Sequence, residues 1–286
     1  VRELIFGTMT TPMTSVVHPD PGGVQLPVAT HILEGINFSS DSPSTFQNEF
    51  TDPIKHFLLI GFLALFVGAI VFMFMSFQRG QKVADNIIFI AAIVSAGAYY
   101  MMMNGYGVVH KTEADETVVT IFWARYVDRF FTTPLILLNI ALLVRAEAGE
   151  IVMLVGNDVL MVLAGAIGST QLGSSKWIWW FISMVFFVLI FLQLFGFLAK
   201  VRDDEDVSTT QGIKILVAIT FISFCVYPIM WVLGSEGLSA VSLNFEVGLI
   251  CLADLVSKIA FGFYLMFGID SKAEETVDTA ERTSLV

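Results

Sequence analysis

Seven runs of apolar residues, each long enough to cross a bilayer as a helix, dominate this chain: Phe57–Phe77, Ile87–Met103, Val118–Val144, Ile151–Ile167, Trp177–Leu198, Ile213–Leu233 and Val241–Phe267. A membrane-crossing helix needs about 20 mostly apolar residues, and inside hydrocarbon its backbone must satisfy its own hydrogen bonds. Seven such runs joined by short connections predict an all-α membrane protein, a seven-transmembrane-helix bundle with antiparallel neighbours. Only 14% of the 286 residues are charged, too few to clothe a soluble domain of this size. The net charge of -11 and the lack of a basic patch argue against nucleic acid as a partner.

An odd number of spans places the termini on opposite sides. With the N-terminus outside, the inner loops and tail hold Arg79, Lys82, Arg145, Lys200, Arg202, Lys214, Lys272 and Arg282, against Arg2, Lys55, Lys111 and Lys176 outside. That excess favours N-terminus outside and C-terminus cytoplasmic. The organisation expected is an extracellular arm over residues 1–55, a seven-helix domain over 56–270 and a cytoplasmic tail over 271–286. With Val rather than Met first, a trimmed chain is expected. The arm is rich in Pro, Thr, Ser and Gly and carries a sequon at Asn37 and solvated histidines His18 and His31. Outside the spans, His110–Glu116 reads as an outer loop and Arg202–Asp206 as a solvated inner one. Cys225 and Cys251 fall in apolar segments and read as small buried hydrophobes rather than a disulfide or metal ligands.

Two of the apolar runs, the third and the seventh, each contain several charges that a lipid-facing helix would not tolerate. The third holds Arg125, Asp128, Thr132 and Asn139 at intervals of three, four and seven, which puts all four on one helical face. Asp128 and Asn139 are roughly 16 Å apart along the axis. Such a stripe, turned into a bundle, is a path for an ion or a proton. The seventh run holds Lys258 with Asp254 one turn before it. Two readings fit that pair: a structural ion pair, or a lysine kept in an apolar pocket to form a Schiff base with a carboxylate counter-ion. The aromatics Tyr99, Trp179, Trp180, Phe224, Tyr227 and Trp231 suit either a plain core or a flat conjugated ligand.

Three motifs then carry a resemblance. Ala124-Arg125-Tyr126-Val127-Asp128 with Thr132-Thr133-Pro134-Leu135, Tyr227-Pro228-Ile229-Met230-Trp231 with Gly234-Ser235-Glu236-Gly237, and Asp254-Leu255-Val256-Ser257-Lys258 resemble the signatures of the third, sixth and seventh helices of microbial (type 1) rhodopsins. Gly105-Tyr106-Gly107 and Trp179-Trp180 also fit. The resemblance spans residues 56–270 and implies the following. All-trans retinal would be bound to Lys258 as a protonated Schiff base. Asp128 and Asp254 would be its counter-ions, with Asp128 the proton acceptor. Thr132 would hydrogen-bond Asp128, and Tyr99 and Tyr227 would hold Asp254. Arg125 would respond to charge on the outward side, where Glu236 and Glu246 match release carboxylates. The pocket would be lined by Tyr99, Arg129, Thr133, Ile136, Met161, Gly165, Trp180, Ser183, Phe224, Tyr227, Pro228 and Trp231.

The sequence departs from the family's pump pattern at three positions. Asn139 stands where efficient pumps have a carboxylic acid that reprotonates the Schiff base, and an amide cannot donate that proton. Arg129 and Phe224 replace tryptophans that face the polyene. Arg129 is turned about 100° from Asp128 around the helix, and its guanidinium stays charged. Asp158 is the expected partner of Arg129, because an unpaired buried charge is costly; the alternative is that Arg129 reaches Asp128 or water and acts on the counter-ion directly. An unusual absorption maximum is also expected.

The function implied is a light-driven outward proton pump with slow reprotonation, in the cell membrane and as a homo-oligomer. The alternative is a sensory photoreceptor with a slow photocycle. Only residues 268–286 follow the last span, so such a sensor would signal to a separate transducer. The second run has no row of glutamates, which argues against a channel; Asp128 argues against a chloride pump; and the third run lacks a sodium pump's Asn-Asp-Gln pattern. No enzymatic activity is expected.

Overall fold

The computed structural model describes residues 52–112, 118–204 and 207–268. The sequon, His18, His31 and nearly all of the expected arm, together with the tail, lie outside the described residues. In chain order the elements are α1 (Asp52–Gln78), α2 (Val83–Met103), β1 (Val109–Thr112), β2 (Val118–Ile121), α3 (Trp123–Leu143), α4 (Ala148–Thr170), α5 (Ser175–Asp204), α6 (Val207–Leu233) and α7 (Leu243–Gly268). All seven helices are long and apolar enough to span a membrane.

Two expectations are corrected. Residues 118–121 are not the start of the third span. They form β2, which pairs antiparallel with β1 in the register Val109↔Ile121, His110↔Thr120, Lys111↔Val119 and Thr112↔Val118. Valine, threonine and isoleucine favour a strand as readily as a membrane helix, so hydropathy alone merged the strand with α3. The first residues of the expected outer loop at His110–Glu116 therefore belong to a strand, and residues 113–117 lie outside the described ones. The acidic run at Arg202 also begins in helix, since α5 continues to Asp204.

The bundle is apolar on the outside and selectively polar within. Along α3, Arg125, Asp128, Thr132, Thr133 and Asn139 are buried, whereas Val127, Phe131 and Leu142 are exposed. That reverses the pattern of a soluble helix and suits a surface solvated by lipid. Large exposed side chains such as Ile60, Phe74, Val152, Phe181 and Ile222 extend this outer surface.

Polar groups also tie the helix ends. Lys111, buried on the hairpin, donates through Nζ to the carbonyls of Ser169 (3.3 Å) and Gln171 (2.6 Å), where α4 runs out of internal partners. Glu147 and Glu150 form a capping box at the start of α4. At its middle α7 widens into π turns, Val256–Ala260 and Tyr264–Gly268. Lys258 is at the centre of the first, and such bulges are frequent at functional sites.

Candidate functional site

Lys258 is 1% exposed, and its Nζ donates to Asp254 Oδ1 at 2.6 Å and Asp128 Oδ2 at 3.0 Å. The i,i+4 spacing on α7 brings Asp254 to the lysine, and the buried face of α3 brings Asp128. Each carboxylate has further donors. Tyr99 on α2 and Tyr227 on α6 donate to Asp254, both at 2.8 Å. Ser95 on α2 donates to Asp128 at 2.5 Å. Thr132, expected in that role, has no hydrogen-bond partner for Oγ1 among the described residues. Ser95 was missed in the sequence, although it lies one turn before Tyr99 on the same face of α2 and so carried a legible signal.

Toward the hairpin end, a second polar cluster follows. Arg125 Nη1 donates to Glu246 Oε1 at 2.9 Å, and the guanidinium lies 4.2 Å from the centre of the Phe122 ring. Glu246 Oε2 accepts from the backbone N–H of Ser235 at 2.9 Å. This contact explains Gly234: a Cβ there would lie 2.5 Å from Glu246 Oε2. Glu236 is half-buried and accepts from the Tyr126 hydroxyl at 2.6 Å. Burial pushes its carboxyl up to about 7, with the Tyr126 hydrogen bond pulling the other way. Both glutamates, both arginines, Tyr126 and Tyr227 line a polar cavity of about 270 Å³.

A larger cavity, about 560 Å³ with the space at its mouth included, lies between α3, α4, α5 and α6. Arg129, Thr133, Met161, Gly165, Trp180, Ser183, Phe224, Tyr227, Pro228 and Trp231 all line it, as expected from the sequence. Tyr126, Val162, Met184 and Phe187 line it too and were not singled out. Ile136 and Tyr99 are buried in the helix core and do not line it. The lining is apolar and aromatic with a few convergent polar groups. It therefore suits a conjugated apolar ligand. Lys258 is not on the cavity wall; Tyr227, which is, donates to the Asp254 that holds Nζ.

Arg129 does not pair with Asp158. Its guanidinium carbon sits 3.9 Å over the Tyr227 ring, and Nε and Nη2 have no hydrogen-bond partner. Asp158 accepts instead from Thr133 Oγ1 at 2.6 Å. The charge count closes differently from the sequence expectation. Lys258, Arg125 and Arg129 are balanced by Asp128, Asp254 and Glu246, with Glu246 in the place assigned to Asp158. A guanidinium on an aromatic face retains attraction without an ion pair. Asn139 is fully buried, and neither Nδ2 nor Oδ1 has a hydrogen-bond partner among the described residues.

The family model for bacteriorhodopsin-like proteins matches residues 52–271. The chain belongs to the bacteriorhodopsin-like family. It is 34% identical to the bacteriorhodopsin of Halobacterium salinarum over 215 residues, covering 73% of this chain and 81% of that protein. It is 33% identical to archaerhodopsin-2 of a Halobacterium species, covering 75% and 84%. Among solved structures, the light-driven proton pump Coccomyxa subellipsoidea rhodopsin superposes with a TM-score of 0.73 at 27% identity, covering 76% of this chain and 97% of that one. A cyanorhodopsin from Calothrix gives 0.71 at 27% identity, covering 78% and 98%. This is an integral, multi-pass membrane rhodopsin, and membership implies a retinal chromophore. The family comprises transporters and photoreceptors, not enzymes.

Proposed function

We propose that this rhodopsin is a light-driven outward proton pump. The observation that carries the reading is Lys258 Nζ held between two carboxylates, with the polar cavity and its glutamates on one side and an apolar core on the other. All-trans retinal would be held covalently at Lys258 Nζ, where it would supply light absorption and isomerisation. The residues then act in sequence. Asp128 takes the proton from Nζ across 3.0 Å, while Asp254, fixed by Tyr99 and Tyr227, remains the standing counter-charge. Neutralising Asp128 weakens the field on Arg125, whose guanidinium already reaches Glu246, and a proton leaves through the Glu236 and Glu246 cavity. That cavity is the outer side in our reading, with the N-terminus outside, the C-terminus cytoplasmic and the bundle in the cell membrane as a homo-oligomer. Arg129, Trp180, Phe224, Pro228 and Trp231 shape the cavity for the chromophore. Reprotonation from inside is slow, because Asn139 has no proton to give and the core around it is apolar.

Illuminating unbuffered cells or liposomes under a pH electrode tests the pump, and external acidification abolished by a protonophore is the expected result. Lys258→Ala is expected to lose visible colour on addition of all-trans retinal; retained colour would overturn the attachment. Asn139 favours a second reading, a slow sensory photoreceptor with a separate transducer. Recovery over seconds with no pH change would establish that reading instead.

A further inference from the structure

The bundle end carrying Asn139 holds a buried carboxylate that the motif resemblance does not include. Asp85, in the first turn of α2, is 1% exposed. Arg79 Nε, at the end of α1, donates to Asp85 Oδ2 at 2.9 Å. Arg79 Nη1 also donates to the carbonyl of Met266, in the second π turn of α7. Ser76 Oγ donates to Asn86 Oδ1 at 2.7 Å beside them. Three helices thus meet at one ion pair.

The depth of Asp85 follows from the helix register. Ser95 and Asp128 are hydrogen-bonded, which fixes α2 against the antiparallel α3. Ten residues along α2, about 15 Å, lead to Asp85; eleven along α3, about 16 Å, lead to Asn139. The carboxylate and the amide that cannot donate a proton therefore lie at nearly the same level on neighbouring helices. Asp158 on α4 is held by Thr133, which is only five residues from Asp128 along α3, so among the described residues Asp85 is the carboxylate recorded as buried that lies furthest toward this end.

We propose that Asp85 is the proton-collecting residue of the inner path, the carboxylate that serves Lys258 in place of an acid at position 139. This rests on the pump reading for its direction. Asp85 binds one proton from the inner aqueous phase as Arg79 loses its partner, and later gives that proton up toward Lys258 Nζ. One proton enters and Asp85 returns to the carboxylate paired with Arg79. The span to Nζ is too long for direct transfer, so water must bridge it. The unpaired amide of Asn139, at the same level, is a group that can hold such water.

Flash-induced loss and recovery of visible absorbance reads reprotonation of Nζ directly. Asp85→Asn is expected to slow recovery roughly a hundredfold, and Asp85→Glu to keep it near wild type. A saturating membrane-permeant weak acid such as azide should bring wild type and Asp85→Asn to the same rate. Arg79→Gln should leave recovery as fast as wild type or faster. If Asp85 only pins the helices, Arg79→Gln slows recovery as Asp85→Asn does and azide fails to equalise the two proteins; either result overturns the relay. A second readout is infrared difference spectroscopy. A carboxylic C=O band that rises and decays with recovery, and is missing in Asp85→Asn, is expected; its absence from wild type overturns the proposal. A wild type that moves no protons across a membrane would overturn the pump but not the relay, because recovery and the infrared band are read without transport.

Discussion

The third helix shows how far a single residue's chemistry depends on its neighbours. Asp158 and Arg129 looked like an ion pair by charge counting, yet the arginine lies on the Tyr227 ring and the aspartate is held by Thr133. Removing one partner of a true buried pair costs about 3–5 kcal/mol. Asp158→Asn keeps an acceptor for Thr133 and is expected to change unfolding free energy by less than about 1 kcal/mol; a loss in the larger range would restore the pair. Ser95 and Thr132 form a similar contrast. Ser95→Ala removes a donor from Asp128 and should cost about 1–2 kcal/mol, whereas Thr132→Ala removes no hydrogen bond and should cost less. Equal losses in denaturant unfolding of the two variants would contradict the hydrogen-bond assignment.

At the scale of elements, glycines report where helices approach closely. A Cβ on Gly262 of α7 would lie 2.5 Å from the Phe72 ring of α1 and 2.9 Å from Ile88 of α2, beside the C-terminal end of the lysine's π turn. Gly262→Ala is expected to destabilise by about 1–3 kcal/mol through overpacking and to disturb the chromophore band through the shift of α7. Gly156 of α4 meets nothing within 4 Å, so Gly156→Ala should be neutral or stabilising by up to about 1 kcal/mol. Thermal melts of the two variants separate close packing from helix propensity. The hairpin was not legible in the sequence, because Val118, Val119, Thr120 and Ile121 satisfy a hydropathy window and a strand equally well. Its role became visible only through Lys111, whose ammonium caps carbonyls at the end of a helix that lies 58 residues on in sequence.

For the whole molecule, Glu236, half-buried in the polar network at the hairpin end, couples stability to pH. Its folded carboxyl is raised from the ordinary glutamate value near 4.5 to about 7 by burial. The folded state therefore holds a proton that the unfolded chain releases. The stabilisation is fully present below about 4.5 and is lost as pH rises through about 7, with a slope of at most about 1.4 kcal/mol per pH unit. Glu236→Gln should flatten unfolding free energy across that window; an unchanged slope would remove Glu236 as its source. In the pump reading, Glu236 can release its own proton only while it still holds one, so a prompt phase of light-induced release should fade as pH rises through about 7, which a pH-indicator dye would detect.

The sequence by itself determined the seven-helix bundle, since predominantly apolar runs of this length cross hydrocarbon as helices that satisfy their own backbone. The i,i+4 spacing alone brought Asp254 to Lys258, whereas Asp128 as its second carboxylate came from the resemblance of the third-helix motif. Most of the cavity wall was legible through the family motifs. The tertiary structure decided which groups pair across helices. It chose Ser95 over Thr132 for Asp128, gave Arg125 to Glu246, placed Arg129 on an aromatic ring and brought Arg79, Asp85 and Met266 to one point. Such choices depend on helix rotation and register, which hydrophobic periodicity constrains only to a face. A hydrogen bond is decided over less than one ångström.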